Sequence, residues 1–469
     1  MLMLSVLCEA SDGRRCPSFF FKLQFSNFYP ITISFLYVTK HIFVFLALLT
    51  AFSSLLSPFL QQVPPTTTHF LKHFAKIPTL SLFFIIFALA MLGIYIHIPF
   101  CRRKCLYCDF FSVGANLADW HSFISALIQE ANTRLPNSSS LSPNSSLSSS
   151  LYIGGGTPSL IPIPEFQRLA RRLLDLAPDP CEFTIEVNPE DVTPDRVVAW
   201  RDAGVSRISM GVQCLDDNTL RAIGRRHTAA DAIRAAQLLR HHFDNVSLDL
   251  MFGLPGQSLS SLRESVRGII DLNPQHISAY SLMYEERSAL TRLRDKGAVD
   301  PVDDMDCIEM FAFISSALVD AGYVQYEISN YALPGFRSRH NSLYWHGDPY
   351  VGIGPSAHSY DGDRTRTANL PNLKEYIEYW NNPGDLPPLE VEHLDDDQIR
   401  EEYIMTRLRT REGIDLHDFK NRFGDTPCRK LIADAQPFLA GKTLILSDSH
   451  LHLSPSGIMI SDEIISSLF

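Results

Sequence analysis

The chain carries no surplus of positive charge. Its 41 Lys and Arg stand against 52 Asp and Glu, a net charge of −11. That balance counts against a large nucleic-acid surface, and no nucleic-acid partner is expected. A disulfide framework is also missing: Cys8, Cys16, Cys181, Cys214, Cys307 and Cys428 are scattered without regular spacing. Free thiols fit a reducing interior, so a cytoplasmic setting is expected. Nor does any apolar run make a convincing membrane span. The two long ones, Ile42 to Leu60 and from Leu80 onward, lie in a first stretch rich in Phe, Leu, Ser and Thr. The second run flows directly into a strand that the following loop needs, so no stable membrane span is expected. Residues 1–90 read as an extension foreign to the rest, with Met91 as the expected true start.

What is present begins with Cys101, Cys105 and Cys108. They occupy a C-x3-C-x2-C loop directly after the alternating apolar strand Gly-Ile-Tyr-Ile-His-Ile (93–98). Thiolates are soft ligands that favour iron–sulfur clusters, zinc or copper. A fourth cysteine is lacking. Electron-transfer cubanes normally take four cysteines, and structural zinc takes four closed ligands. Three thiolates on one loop can hold three corners of a cubane and leave the fourth iron open to another ligand. The competing reading is a three-cysteine zinc site completed by His97.

Further motifs follow in order. Leu-Tyr-Ile-Gly-Gly-Gly-Thr-Pro-Ser (151–159) is a strand entering a glycine turn, where backbone can approach a ligand closely. Phe-Thr-Ile-Glu-Val-Asn-Pro-Glu (183–190) places Glu186 inside an apolar strand, which is costly unless the carboxylate is partnered. Ile-Ser-Met-Gly-Val-Gln (208–213) ends on Gln213, with Arg225 twelve residues on. Asp249 lies within a fifth strand and His-Ile-Ser-Ala-Tyr-Ser-Leu (276–282) makes a sixth.

Between the strands run helical patterns. Trp120, Phe123, Ile124, Leu127, Ile128 and Ala131 form one apolar face. Phe166, Leu169, Ala170, Leu173 and Leu174 repeat it, and further stretches lie near 229–241, 258–271 and 303–321. Short buried strands alternating with amphipathic helices predict a parallel sheet built by right-handed crossovers. In such sheets the site lies at the carboxyl ends of the strands, where Cys101, Gly155, Glu186, Gln213 and Asp249 are all expected. Pro136 to Ser150, rich in Ser, Asn and Pro, reads as a flexible loop before the second strand.

These motifs resemble those of the radical S-adenosylmethionine (SAM) superfamily. Within it the chain is similar to the oxygen-independent coproporphyrinogen III oxidase family, and specifically to its heme-chaperone branch. The resemblance runs from about Gly93 to the C-terminus. It implies an α/β fold: a partial (β/α)6 barrel followed by a small α+β, winged-helix-like C-terminal domain. True oxidases carry a further cysteine two places after the third loop cysteine, where this chain has Phe110. The chaperone branch carries a His-Asn-x-x-Tyr-Trp signature, which His340, Asn341, Tyr344 and Trp345 spell out here, just after Tyr-Glu-Ile-Ser-Asn-Tyr-Ala (326–332).

Carried over residue by residue, the resemblance implies a [4Fe-4S] cluster on Cys101, Cys105 and Cys108. It implies a SAM site of Tyr95, Tyr107, Gly155, Gly156, Thr157, Glu186, Gln213, Arg225, Asp249 and Ser281. His340, followed by flat aromatic side chains, is the expected heme contact. The expected domains are 91–382, the barrel with the heme signature, and 383–469, set off by the Pro/Gly-rich stretch Pro383 to Pro388. Winged helices often bind DNA, but the acidic composition favours a structural lid. Two functions follow. One is a carrier that delivers heme to an acceptor protein, with an electron donor serving the cluster. The other is a radical SAM enzyme acting on coproporphyrinogen III. Phe110 and the His340 signature favour the carrier.

Overall fold

A computed structural model describes residues 92–135, 149–384 and 387–469, and the backbone of three short strands before them. The chain divides into two units, Met1–Phe84 and Ile85–Phe469. In the first, Leu4–Leu7, Phe20–Leu23 and Ile31–Ser34 pair as an antiparallel sheet. The apolar runs at 42–60 and 80–91, the expected start at Met91 and most of the Ser/Asn/Pro-rich loop lie outside the described residues. Ser149 and Ser150, expected in that loop, already belong to a strand.

In the second unit six strands lie side by side in chain order, all parallel: β1 (Leu92–Ile98), β2 (Ser149–Gly155), β3 (Glu182–Val187), β4 (Arg207–Gln213), β5 (Val246–Phe252) and β6 (His276–Ser281). Helices α1 (Trp120–Arg134), α2 (Ile163–Leu176), α3 (Pro194–Asp202), α4 (Ala229–His242) and α5 (Leu259–Asp271) connect them. This is the partial (β/α)6 barrel that the resemblance implies, with one sheet row continuing at both ends. Beyond β6 lies antiparallel β7 (Asn330–Ala332). Beyond β1 come parallel β8 (Tyr350–Ile353) and then antiparallel β9 (His358–Tyr360), β10 (Thr365–Asn369) and β11 (Leu389–His393).

Side chains alternate across a strand, and here the alternation separates two environments. Ile94, Ile96, Leu151, Ile153, Phe183, Ile185, Ile208, Met210, Leu248 and Leu250 are fully buried in one core with the apolar faces of the helices. The intervening residues are polar and meet each other: Tyr152 bonds Glu186, Ser209 bonds Asp249 and Ser247 bonds His276. The inner face of the sheet therefore carries the chemistry.

Two helices follow β6 and β7. They are α6 (Asp304–Asp320) and α7 (Arg339–His346), which carries the signature residues. Ser338 caps α7 by accepting from Asn341 N–H, and Gly347, at φ 65°, ends it in a left-handed conformation that glycine adopts freely. After α8 (Leu373–Asn381), the C-terminal module has its own core around Ile404, Leu408, Phe419, Leu431, Leu451 and Ile464. It opens with α9 (Asp396–Leu408) and contains a hairpin, Leu444–Ser447 with His450–Leu453, joined by Ile414–Asp415. Helices leading into a three-stranded sheet form the winged-helix-like arrangement expected.

Candidate functional site

The cysteine loop leaves β1 through Phe100–Cys101 and folds over the carboxyl end of the sheet. Gly156 N–H donates to Ile98 C=O at 2.7 Å, fixing the glycine turn against the start of the loop. A Cβ on Gly156 would stand 2.9 Å from that oxygen, 3.0 Å from Phe100 C=O and 3.1 Å from Cys101 Sγ, so this position admits only glycine without movement. Thr157 donates to Cys101 Sγ at 3.5 Å, and Arg225 Nη1 to Cys105 Sγ at 3.6 Å. The second nitrogen of Arg225 bonds Gly211 C=O at 2.7 Å and Asn188 Oδ1 at 2.8 Å. Asn188 in turn reaches Thr157 at 3.4 Å. Cys105, Thr157, Asn188 and Arg225 line one recess beside the loop. Tyr107 stands against Arg225 and Cys105, and burial pushes its phenol pKa up.

Burial also raises the Cys101 thiol, with Thr157 acting against it, and lifts Cys108 to about 11. Thiols of this kind become thiolates when a metal replaces their protons. Among the described residues, no three His, Cys, Asp or Glu side chains converge on a point that one metal ion could occupy. A cubane makes a different demand, one thiolate for each of three irons. His97, the fourth ligand of the zinc alternative, has both ring nitrogens engaged, with Tyr95 OH at 3.1 Å and Phe111 C=O at 3.0 Å.

The other SAM-site candidates fall into three groups. Gln213 joins the Arg225 cluster. It has φ 69°, a strained value for a side-chain-bearing residue, and its buried Oε1 lacks a hydrogen-bond partner among the described residues. Glu186 sits one layer inward, accepting from Tyr152 OH at 2.8 Å and Gly155 N–H at 3.0 Å. Burial pushes its carboxyl up to about 7. Asp249, expected at a strand end, lies midway along β5, where the register sets it beside Gly211 and Ser278. Burial raises it to about 6, with Arg207 and Ser278 acting against that rise. Ser281 stands exposed at the end of β6, apart from both groups.

His340 is elsewhere. It lies at the amino end of the sheet, where its Nδ1 meets Ser150 Oγ at 2.9 Å and its Nε2 meets Tyr344 OH at 2.9 Å. With 1% of its surface exposed and burial lowering its pKa to about 3, the ring is a neutral core group. The expectation of a ring open to a macrocycle meets an occupied, enclosed one. Glu182 at the start of β3 accepts from Arg339 N–H at 2.9 Å and His340 N–H at 3.1 Å, anchoring the start of α7.

Asn188 escaped the sequence reading although it lies in the Glu-Val-Asn-Pro run. A polar residue just past a strand end, beside a proline, was its signal.

Fold and loop chemistry together define the class: the chain matches the radical SAM superfamily over residues 95–269 and the HemN C-terminal domain over 394–460. It is 34% identical over 384 residues to the heme chaperone HemW of Bacillus subtilis, spanning 80% of this chain and 98% of that protein. To HemW of Escherichia coli it is 40% identical over 298 residues, 61% of this chain and 76% of the relative. The chain belongs to the HemW heme chaperone family. A solved structure of coproporphyrinogen III oxidase (HemN) from Escherichia coli shares the fold, with a TM-score of 0.68 at 20% identity, covering 81% of this chain and 90% of that one.

Proposed function

We propose that this chain is a heme carrier: it binds heme, holds a [4Fe-4S] cluster with SAM at the carboxyl end of its barrel, and hands heme to an acceptor protein. Cys101, Cys105 and Cys108 would ligate the cluster. When bound, the cluster would supply an electron to SAM. Arg225 suits the carboxylate of SAM, and the backbone at Gly155 and Gly156 suits its polar methionine end. Glu186 and Asp249 are carboxyls for the ribose hydroxyls and the sulfonium. Gln213 offers an acceptor that lacks a partner in the fold. Tyr95 and Tyr107 wall the site, and Ser281 stands at its margin. A reduced protein of the cytoplasm, fed by an electron donor and free of nucleic acid, fits this chemistry. The module from about Pro383 serves as a structural lid.

One observation carries the choice of carrier over enzyme. The signature helix α7 packs at Ser150, while the cysteine loop packs at Gly156, six residues further on and just past the end of β2. At about 3.3 Å per residue the two lie roughly 20 Å apart. Tyr152, whose ring lies 5.0 Å from that of His340 and whose OH bonds Glu186, stands between α7 and the SAM candidates, so a macrocycle held at α7 meets this ring before SAM, while radical chemistry needs contact between the reacting groups. In this reading His340 is a positioning residue: it locks Tyr344 and α7 to the barrel.

The test uses anaerobically reconstituted protein. It should bind heme and hold about four irons and four sulfides per chain. With SAM, reductant and coproporphyrinogen III it should form no protoporphyrinogen beyond a single turnover. Sustained turnover would overturn the carrier reading in favour of a coproporphyrinogen oxidase.

A further inference from the structure

Next to the signature helix lies a cleft of about 870 Å³, between the end of α7, strands β8 to β10 and the C-terminal module. Its walls include Trp345, Tyr350 and Tyr403, and its other contributors include His346, Arg407 and Arg422. This combination differs from an ordinary polar groove in three ways.

First, the aromatic wall is continuous. Tyr344 packs edge-on against Tyr350 at 4.8 Å, and Tyr350 meets Tyr360 at 6.3 Å. On the facing module Tyr403 packs against Phe423 at 5.5 Å. Rings on two sides, with Arg407 and Arg422 over Tyr403 and Arg366 over Tyr360, offer aromatic edges and guanidinium planes to a planar ligand.

Second, the cations are unequally compensated. Arg364 pairs with Asp396, Arg400 with Asp397 and Arg366 with Glu402, so these close on themselves at the rim. Arg422 shares Asp418 and lies over Tyr403 at 5.3 Å. Arg407 makes no ion pair within 4 Å among the described residues, although the Asp348 carboxyl in the same cleft feels its charge and that of Arg422. It bonds His346 C=O at 3.1 Å and lies over the Tyr403 ring at 5.2 Å. Guanidinium groups placed this way can accept incoming carboxylates bidentately.

Third, His346 is exposed in the cleft, unlike His340 six residues before it. Partial burial and the nearby Arg407 lower its pKa, which favours the neutral imidazole that metal ligation needs.

We propose that heme lies in this cleft, with its iron on His346 and its propionates on Arg407 and Arg422. The proposal rests on the heme-carrier reading and adds where the ligand sits and which side chains take it. His340 then shapes one wall from behind, through Tyr344. Placing heme between barrel and module also gives it an edge open to solvent, as transfer to a second protein requires.

The test is a ferric heme titration of the full-length, cluster-loaded protein, followed by visible absorption. In His346→Ala the heme absorption band should move, and added imidazole should restore the parent spectrum. The double variant Arg407→Ala, Arg422→Ala should bind heme about ten- to a hundredfold more weakly. The parent should discriminate by a similar factor against heme dimethyl ester, whose propionates carry no charge. Iron and sulfide contents equal to the parent's certify that each variant is folded. Should a variant lose its cluster as well, the ester comparison, which needs no substitution, decides for or against the arginine contacts. Heme binding by the parent that is unchanged by either variant and by esterification overturns this placement and leaves the carrier reading intact. A parent that takes up no heme overturns both.

Discussion

Glu186 shows how much one carboxyl inside an apolar strand can say. It lies on the inner face of β3, raised to about 7 by burial, with Asp249 nearby adding to the effect. Its proton is held more tightly folded than unfolded, where a glutamate titrates near 4.5. Raising the pH from about 4.5 to about 7 therefore draws the balance toward the unfolded chain, and above about 7 the loss is complete. The expected size is on the order of 2 kcal/mol for this part-exposed group. Cluster-free Glu186→Gln should lose that slope, so its melting temperature should change less than the parent's between pH 4.5 and 7. The same variant, once cluster-loaded, should bind SAM about tenfold more weakly by calorimetry, with iron content unchanged. A parent-like pH slope and SAM affinity would make Glu186 a bystander. Residues of this kind were legible in the sequence because a charged side chain inside an apolar strand requires a reason. Asp249 was legible as a carboxyl within a strand but not in its depth, since a seven-residue strand does not announce which of its residues is the last before the turn. His340 was legible as special, but its burial was not. Its partners Ser150 and Tyr344 come from a distant strand and from its own helix, and no local pattern announces the first of these.

At the scale of elements, the position of α7 depends on Glu182. This carboxylate takes the Arg339 and His340 N–H groups and Ser338 Oγ at 3.3 Å. Those N–H groups are the unpaired donors of a helix start, where negative charge is favoured. Glu182→Ala should remove this anchor and leave Arg207, 1% exposed, without the charge that most favours its cation. Removing the counter-charge of a buried ion costs about 3–5 kcal/mol. Hydrogen exchange should reveal it as faster exchange at residues 339–343, ahead of any change in β1 or β2. Uniform loosening of all six strands would show instead that Glu182 holds the barrel rather than the helix. The parallel strands and their helices were readable from alternating apolar periods. The added strands β7 to β11 were not, because they are only three to five residues long and β7 and β8 join the sheet by pairing with β6 and β1 across long stretches of chain. The winged-helix-like module was readable as a glycine-punctuated series with its own apolar stripe, Ile399, Tyr403, Ile404 and Leu408; Tyr403, Ile404 and Leu408 do enter its core.

Across the larger unit, one sheet holds α7 and the cysteine loop apart. The inner face of β2 touches α7 at Ser150 and the cysteine loop at Gly156. Between them lie Tyr152, Glu186, Ser209 and Asp249, hydrogen-bonded in pairs across the inner face. Such an arrangement allows each ligand to bind without the other's contacts. Cys101→Ser should therefore lose most iron and sulfide, since serine oxygen is a poor substitute for thiolate at iron, yet take up ferric heme with the parent's affinity and spectrum. His340→Ala should do the reverse: α7 loses its bond to Ser150 and the lock on Tyr344, heme binding weakens, and iron and sulfide stay at the parent's level. Titrating heme into both variants while assaying iron and sulfide separates the sites in a single experiment. If loss of the cluster abolished heme uptake, the barrel would have to transmit a change along its full length, and the bonded pair of Tyr152 and Glu186 would be the place to look for it.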